Sequence, residues 1–153
     1  MIKIKSDLIE AHIVRIIDGK IRFLILKRAS TEKYPNIWQM VTGKIRENEK
    51  AYETAIREIK EETALTVSEI YIVPKVNLFY NSDDNSANMV PVFLAIVQND
   101  NVILSSEHQE YKWAQKEEAQ SLFAWPGQAE SINIIADYLN KKQKNLNFIK
   151  IDF

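Results

Sequence analysis

Apolar residues along this chain fall into two kinds of pattern. From Leu8 to Ile17 and again from Ile21 to Arg28 the sequence is dense in Ile, Val, Leu and Phe, and Asp18-Gly19 separates the two runs. Extended runs flanking an Asp-Gly pair predict a β-hairpin, because a two-residue turn that matches strand twist needs positive φ at its centre. A polar stretch with Pro35 predicts a loop, and Ile37 to Val41 a short strand running into Thr42 and Gly43. Thr66 to Val73 and Lys75 to Tyr80 predict two strands interrupted by Pro74, followed by a turn-rich loop from Ser82 to Asn88. Met89 to Val97 is the most apolar run and predicts a central strand of a sheet. Beyond the Asn99-Asp100-Asn101 turn, Val102 to Leu104 and a polar loop through Glu107 lead to a strand from about Gln109 to Ala114.

Between Gly43 and Leu65 the period changes to that of a helix. A charged loop, Lys44 to Glu47, leads to Asn48, a suitable N-cap, and a helix over 49–63. With Glu58 at zero on the helical wheel, Tyr52, Ala55, Ile56, Ile59 and Thr63 fall between roughly 60° and 160°. Glu62 falls near ~40° and Glu61 near ~300° on the same wheel. One side of this helix therefore faces a core and the next carries three carboxylates. Glu58 and Glu62 are like charges one turn apart, and all three acids lie toward the negative end of the helix dipole, at a cost of some tenths of a kcal/mol. Either the face is solvated and balanced by Arg57 and Lys60, or a hard divalent cation sits there; spacing alone does not choose. Lys116 to Phe123 predicts a short helix, Pro126 opens a last helix to about Asn140, and the tail FIKIDF predicts a short edge strand.

Composition narrows the chemistry. At 153 residues the length predicts one domain, 1–153, able to bury its own core. The chain has 20 Lys and Arg against 21 Asp and Glu, a net charge of −1, which marks neither a nucleic-acid polymer nor a membrane surface as partner. With no cysteine there are no disulfides, thiolate nucleophiles or zinc-thiolate sites, which suits the cytoplasm. The N-terminus lacks an apolar core of signal-peptide length, and Met89 to Val97 is too short to span a bilayer. Two histidines, His12 and His108, leave a histidine-rich metal centre little to work with, and no Gly-x-Ser-x-Gly, Walker or dinucleotide glycine motif occurs. Carboxylates are left to carry any catalysis.

Read together, Gly43-x5-Glu49-x7-Arg57-Glu58-Ile59-x-Glu61-Glu62-x-Ala64-Leu65 resembles the signature of the Nudix hydrolases at every fixed position but one. The departure is Ala64, where that family usually has glycine; an alanine there implies a different helix exit. Trp38-Gln39-Met40-Val41-Thr42-Gly43 and Glu107-His108-Gln109-Glu110-Tyr111-Lys112-Trp113 resemble the bacterial dihydroneopterin triphosphate pyrophosphohydrolases, also described as dATP pyrophosphohydrolases. The resemblance implies an α/β (α+β) fold, a mixed β-sheet sandwiched between α-helices. It also implies a Mg2+-dependent enzyme, with Mn2+ able to substitute, that uses water to split a small-molecule triphosphate into monophosphate and pyrophosphate. Hydrolysis of a phosphoanhydride needs clustered negative charge neutralised and water aligned, and metal ions held by carboxylates do both.

The same resemblance distributes roles. Glu58 and Glu62 match metal ligands; Glu61 matches a further ligand or the general base. Arg57 and Glu49 match a pair that fixes loop to helix, and Gly43 matches a position where the backbone approaches the metal. Glu107 matches a ligand supplied from outside the helix, with Glu110 as its nearby rival. Arg28 matches a basic position on substrate phosphates, with Lys27 and Lys44 as alternatives. For stacking on a base or pterin, Tyr34, Trp38, Phe79, Tyr80 and Trp125 are available, Trp38 foremost because it adjoins the signature; Trp113 reads as core and His108 as a turn residue. Two other readings stay open: a hydrolase of diadenosine polyphosphates or damaged nucleotides of the 8-oxo-dGTP type, and a nucleotide-binding module without turnover. A homodimer is compatible with the sequence.

Overall fold

The computed structural model describes residues 1–153 and arranges them around one mixed sheet. The strands are β1 (Lys3–Lys5), β2 (Leu8–Ile17), β3 (Lys20–Arg28), β4 (Trp38–Gln39), β5 (Val41–Lys44), β6 (Val67–Asn81), β7 (Ser86–Val97), β8 (His108–Ala114) and β9 (Lys150–Ile151). The helices are α1 (Ala51–Thr63), α2 (Lys116–Leu122), α3 (Pro126–Asn140) and α4 (Leu146–Ile149), the last preceded by a 3-10 turn at Gln143–Asn145. The strand order is β4-β3-β2-β7-β6-β9, with β5 also on β2, β8 on β3 and β1 on β7. β2 runs parallel to β7 and antiparallel to β3, so the sheet is mixed.

Strand alternation distributes the core to both faces. Ile9, Ala11 and Ile13 of β2 pack with Phe93 and Ala95 of β7 against Ala55 and Ile59 of α1. Val14, Val92 and Leu94 face the other way, onto Ala119 of α2 and Ile132, Ile135 and Leu139 of α3. Helices therefore cover the sheet on both sides, as the resemblance implied. No helix is long and apolar enough to cross a membrane.

The Asp18-Gly19 hairpin forms with positive φ at both residues, 51° and 75°. β7 lies between β6 and both β2 and β1, which gives its apolar run the central place expected. β9 forms the short edge strand, on Ile70 and Tyr71 of β6. Five local expectations are corrected. Asn48 does not cap α1: it sits at φ 64° in the turn closed by Glu49 N–H to Arg46 C=O, and Lys50 is the N-cap, its N–H held by Glu53. Pro74 does not split β6; the register slips between Val73 and Val76, a bulge that takes the proline without losing the strand. The run from Ile37 to Val41 divides into β4 and β5, and Ser86 to Asn88 is strand rather than loop, since β1 pairs with it. Ala64 makes the exit a glycine would make, in the left-handed conformation at φ 64° and ψ 3°, with its N–H on Lys60 C=O. The alanine strains the exit but does not redirect it.

Candidate metal and substrate site

The site begins at the junction of β5 and α1. Arg57 lies mid-helix and closes the intervening loop onto it: Nε and Nη2 bind the two oxygens of Glu49 at 2.7 and 2.9 Å, and Nη2 also reaches Lys44 C=O at 3.1 Å. This bidentate clamp, with Thr54 as a further donor, holds the Glu49 carboxyl down to about 2. Nη1 of Arg57 binds Glu58 at 2.7 Å and Glu61 at 3.2 Å. Glu61 also meets Arg46 at 3.4 Å and is half exposed. Gly43 lies against Glu58: a Cβ on this glycine would stand 2.6 Å from the carboxyl carbon and 2.8 Å from Oε1.

Glu62 is different. It is 3% exposed, and its Oε2 has no hydrogen-bond partner. The segment between β7 and β8 is tied over the end of α1, where Ile103 N–H binds Thr63 C=O and Ser105 N–H binds Glu62 C=O. These bonds satisfy carbonyls that a helix end leaves open. They also deliver Glu107 and His108 to Glu62, so that ligand atoms of all three lie within 4.8 Å of one another. Burial foremost, then Glu107 and Glu58, pushes the Glu62 carboxyl far above the usual carboxylate range, while Arg28 pulls it back.

His108 is buried and its pKa is lowered to about 4, chiefly by burial, so the ring is neutral and its 4.0 Å approach to Glu62 is not an ion pair. The Gln39 amide nitrogen stands 3.2 Å from its Nε2. With Nε2 as acceptor, the ring proton is on Nδ1, facing Glu62 Oε2. At 4.0 Å the two atoms are beyond hydrogen-bond reach, and Glu62 and Glu107, with the His108 ring beside them, are the groups placed to hold a cation. An unpaired buried carboxylate oxygen facing a second carboxylate fits a hard cation such as a divalent metal ion.

Arg28 ends β3 opposite His108. Its Nε donates to Lys33 C=O at 2.7 Å, and its charge acts on both Glu62 and His108. Lys44 points away, toward Asp7 at 3.7 Å, and Lys27 is held by Glu110 at 3.0 Å. Trp38 is half-buried at the edge of the core, 5.9 Å beneath Lys27. Tyr34, exposed and at φ 53°, meets Trp125 edge-on at 5.5 Å. The structure thus brings Glu62 and Glu107 together, holds Glu58 and Glu61 on Arg57, and leaves Lys44 outside. Sequence reasoning passed over Gln39 and placed His108 in a turn; both lie inside the two flanking words, which was the signal for them.

The NUDIX domain model matches residues 8–137. The chain is 36% identical over 110 residues to the asymmetrical bis(5'-nucleosyl)-tetraphosphatase of Caenorhabditis elegans, covering 70% of this chain and 77% of that one. A crystal structure of a C. elegans Ap4A hydrolase binary complex superimposes with a TM-score of 0.74 at 26% identity, over 91% of this chain and 98% of the other. The E. coli dihydroneopterin triphosphate pyrophosphohydrolase shares the fold, with a TM-score of 0.66 at 23% identity over 84% and 95% of the two chains. Taken with the carboxylate-lined junction of β5 and α1, these matches show that the chain belongs to the Nudix family of hydrolases, which act on phosphoanhydride bonds.

Proposed function

We propose that this enzyme is a Mg2+-dependent pyrophosphohydrolase that cleaves a nucleoside or dihydroneopterin triphosphate into monophosphate and pyrophosphate by water attack. The observation that carries the reading is the unpaired, buried oxygen of Glu62 set against Glu107 with Arg28 alongside. Glu62 and Glu107 hold Mg2+, or Mn2+ in its place, and Glu58 joins them from one turn earlier on α1. Glu61 supplies a further ligand or the general base. The bound ion neutralises phosphate charge and lowers the pKa of water. Arg28 binds substrate phosphate, Arg57 and Gly43 set the loop and Glu58 in place, and Tyr34 and Trp38 offer rings to the base, with Lys44 at the rim.

A second reading is favoured by the 36% identity to an asymmetrical tetraphosphatase: a hydrolase of dinucleoside polyphosphates. The same phosphate chemistry would serve both, and a damaged-nucleotide substrate as well. Product release from dihydroneopterin triphosphate, dATP, 8-oxo-dGTP and diadenosine tetraphosphate, with and without Mg2+, separates them. Pyrophosphate from the first two supports the main reading, and ATP from the last alone replaces it. Tight binding without turnover of any would leave a binding module.

A further inference from the structure

The side of the sheet on which α1 packs is only partly covered, and the uncovered part is apolar. Phe93 and Ala95 of β7 lie against Ala55 and Ile59 of α1. By strand alternation Pro91, Met89 and Ala87 point to that same side. Cross-strand register widens the row: Val76, Leu78 and Tyr80 of β6 stand opposite Pro91, Met89 and Ala87, and Ile4 of β1 stands beside Ala87. Ile72, opposite Phe93, joins the row to the core beneath α1. Ile4, Ile72, Val76, Leu78, Tyr80 and Met89 are each between 44% and 74% exposed.

A sheet face left in water is ordinarily polar, because only the covered face gains by being apolar. Six large apolar side chains across three neighbouring strands reverse that rule. At about 200 Å² for a whole large side chain, their exposed fractions leave on the order of 700 Å² of apolar surface in water. That exceeds the ~300–600 Å² of the largest patch on a typical monomer, and it approaches the ~800 Å² that one partner contributes to a standard interface. No charged side chain lies in the row, and β6 carries neither charge nor proline from Val76 to Asn81. Charges and prolines are what keep exposed strands of identical chains apart. β9 ends on Ile70 and Tyr71, so β6 runs on from Ile72 with no strand on that side. An uncharged face of this size is its own complement: a two-fold axis brings two of them together with no like charges opposed.

We propose that two copies of this chain pack these faces together about a two-fold axis that passes close to Leu78 and Met89. These two are cross-strand neighbours in the middle of the row, with Tyr80 and Ile4 to one side and Val76 and Ile72 to the other. The two sheets then stack ~10 Å apart, as the layers of a sandwich do. Together the faces remove on the order of 1,400 Å² from water, within the range of a stable interface. None of Glu58, Glu62, Glu107 or Arg28 lies in the row, so association is independent of the hydrolase reading.

The test is sedimentation velocity of the full chain across the micromolar range. Wild type is expected to sediment as a dimer that dissociates on dilution. Leu78→Asp and Met89→Lys each set a charge in the middle of the face, and each is expected to raise the dissociation constant by at least about 30-fold, the loss of one hot spot. Both positions are exposed in the single chain, so the circular dichroism of the variants is expected to match wild type, which separates lost association from lost folding. The chain has no cysteine, so Leu78→Cys is expected to be joined between copies by a short bismaleimide, while Glu117→Cys, on the helix that covers the opposite side of the sheet, is not. A wild type that stays monomeric overturns the proposal, and so does a dimer that neither charge weakens or that is joined through Glu117→Cys instead. A monomer that binds phosphatidylcholine vesicles, and loses them with Leu78→Asp, overturns it in favour of a lipid surface on this face.

Discussion

Gly43 and Glu58 are packed so closely that the first has no room for a side chain: a Cβ would stand 2.8 Å from Glu58 Oε1. The glycine therefore sets where a helix carboxylate lies relative to β5, on the far side of a loop already clamped by Arg57 and Glu49. Gly43→Ala is expected to displace Glu58 and to lower metal affinity or turnover by about 10–100-fold, as loss of support around a metal site does. Metal titration of the variant checks it, and unchanged affinity and rate would show that Glu58 need not stand where it does.

Ala64 exits α1 in a conformation that disfavours any side chain, at φ 64°. Ala64→Gly is expected to stabilise the protein by about 1 kcal/mol, the left-handed strain less the greater freedom of glycine in the unfolded chain. For a chain of this length that is a rise in Tm of about 2–4 °C. A lower Tm would mean that the alanine side chain contributes more packing than strain.

Glu10 makes stability depend on pH in a defined direction. Its folded pKa of about 7 lies above the ordinary 4.5. Between those values the native protein holds a proton that the unfolded chain has released, so stability falls as pH rises, by about 3 kcal/mol across the window. The groups facing Glu10 are Asn77, Gln128, and Lys75 with its partner Glu130; the two amides and Lys75 favour its charged form, and burial outweighs them. Glu10→Gln removes the slope, and the melting temperature of the variant should gain on wild type from pH 5 to pH 8. A difference that stays constant over that range would contradict the raised pKa.

Much of the fold was legible because it follows from local rules. The Asp18-Gly19 hairpin, the amphipathic helix after Gly43 and the proline that opens α3 each declare themselves in a few residues. What was not legible depends on partners distant in sequence. Pro74 stays inside β6 because a slipped register against β7 absorbs it, and β1 exists because Ser86 to Asn88 offers an edge. The wheel placed Glu58, Glu61 and Glu62 on one arc, yet it could not show that Arg57 takes the first two while a later loop closes over the third. Glu107 was a candidate only through the resemblance, since nothing local in the sequence ties it to α1. Glu10 carried a signal that was passed over, a charge inside an apolar strand.

Glu62 and Glu107 are the centre of the account, and metal-dependent turnover tests them most directly. Hydrolysis of dihydroneopterin triphosphate, dATP and diadenosine tetraphosphate is measured at saturating Mg2+ for wild type, Glu62→Gln and Glu107→Gln, with melting curves taken with and without the metal. Glu62→Gln is expected to lose turnover by orders of magnitude and to lose the stabilisation by Mg2+, while melting no lower than wild type without metal, because burial beside Glu107 and Glu58 already disfavours the ionised acid that the amide replaces. Glu107→Gln is expected to follow it in activity. Full activity and an undiminished Mg2+ shift in both variants would contradict the assignment of the site.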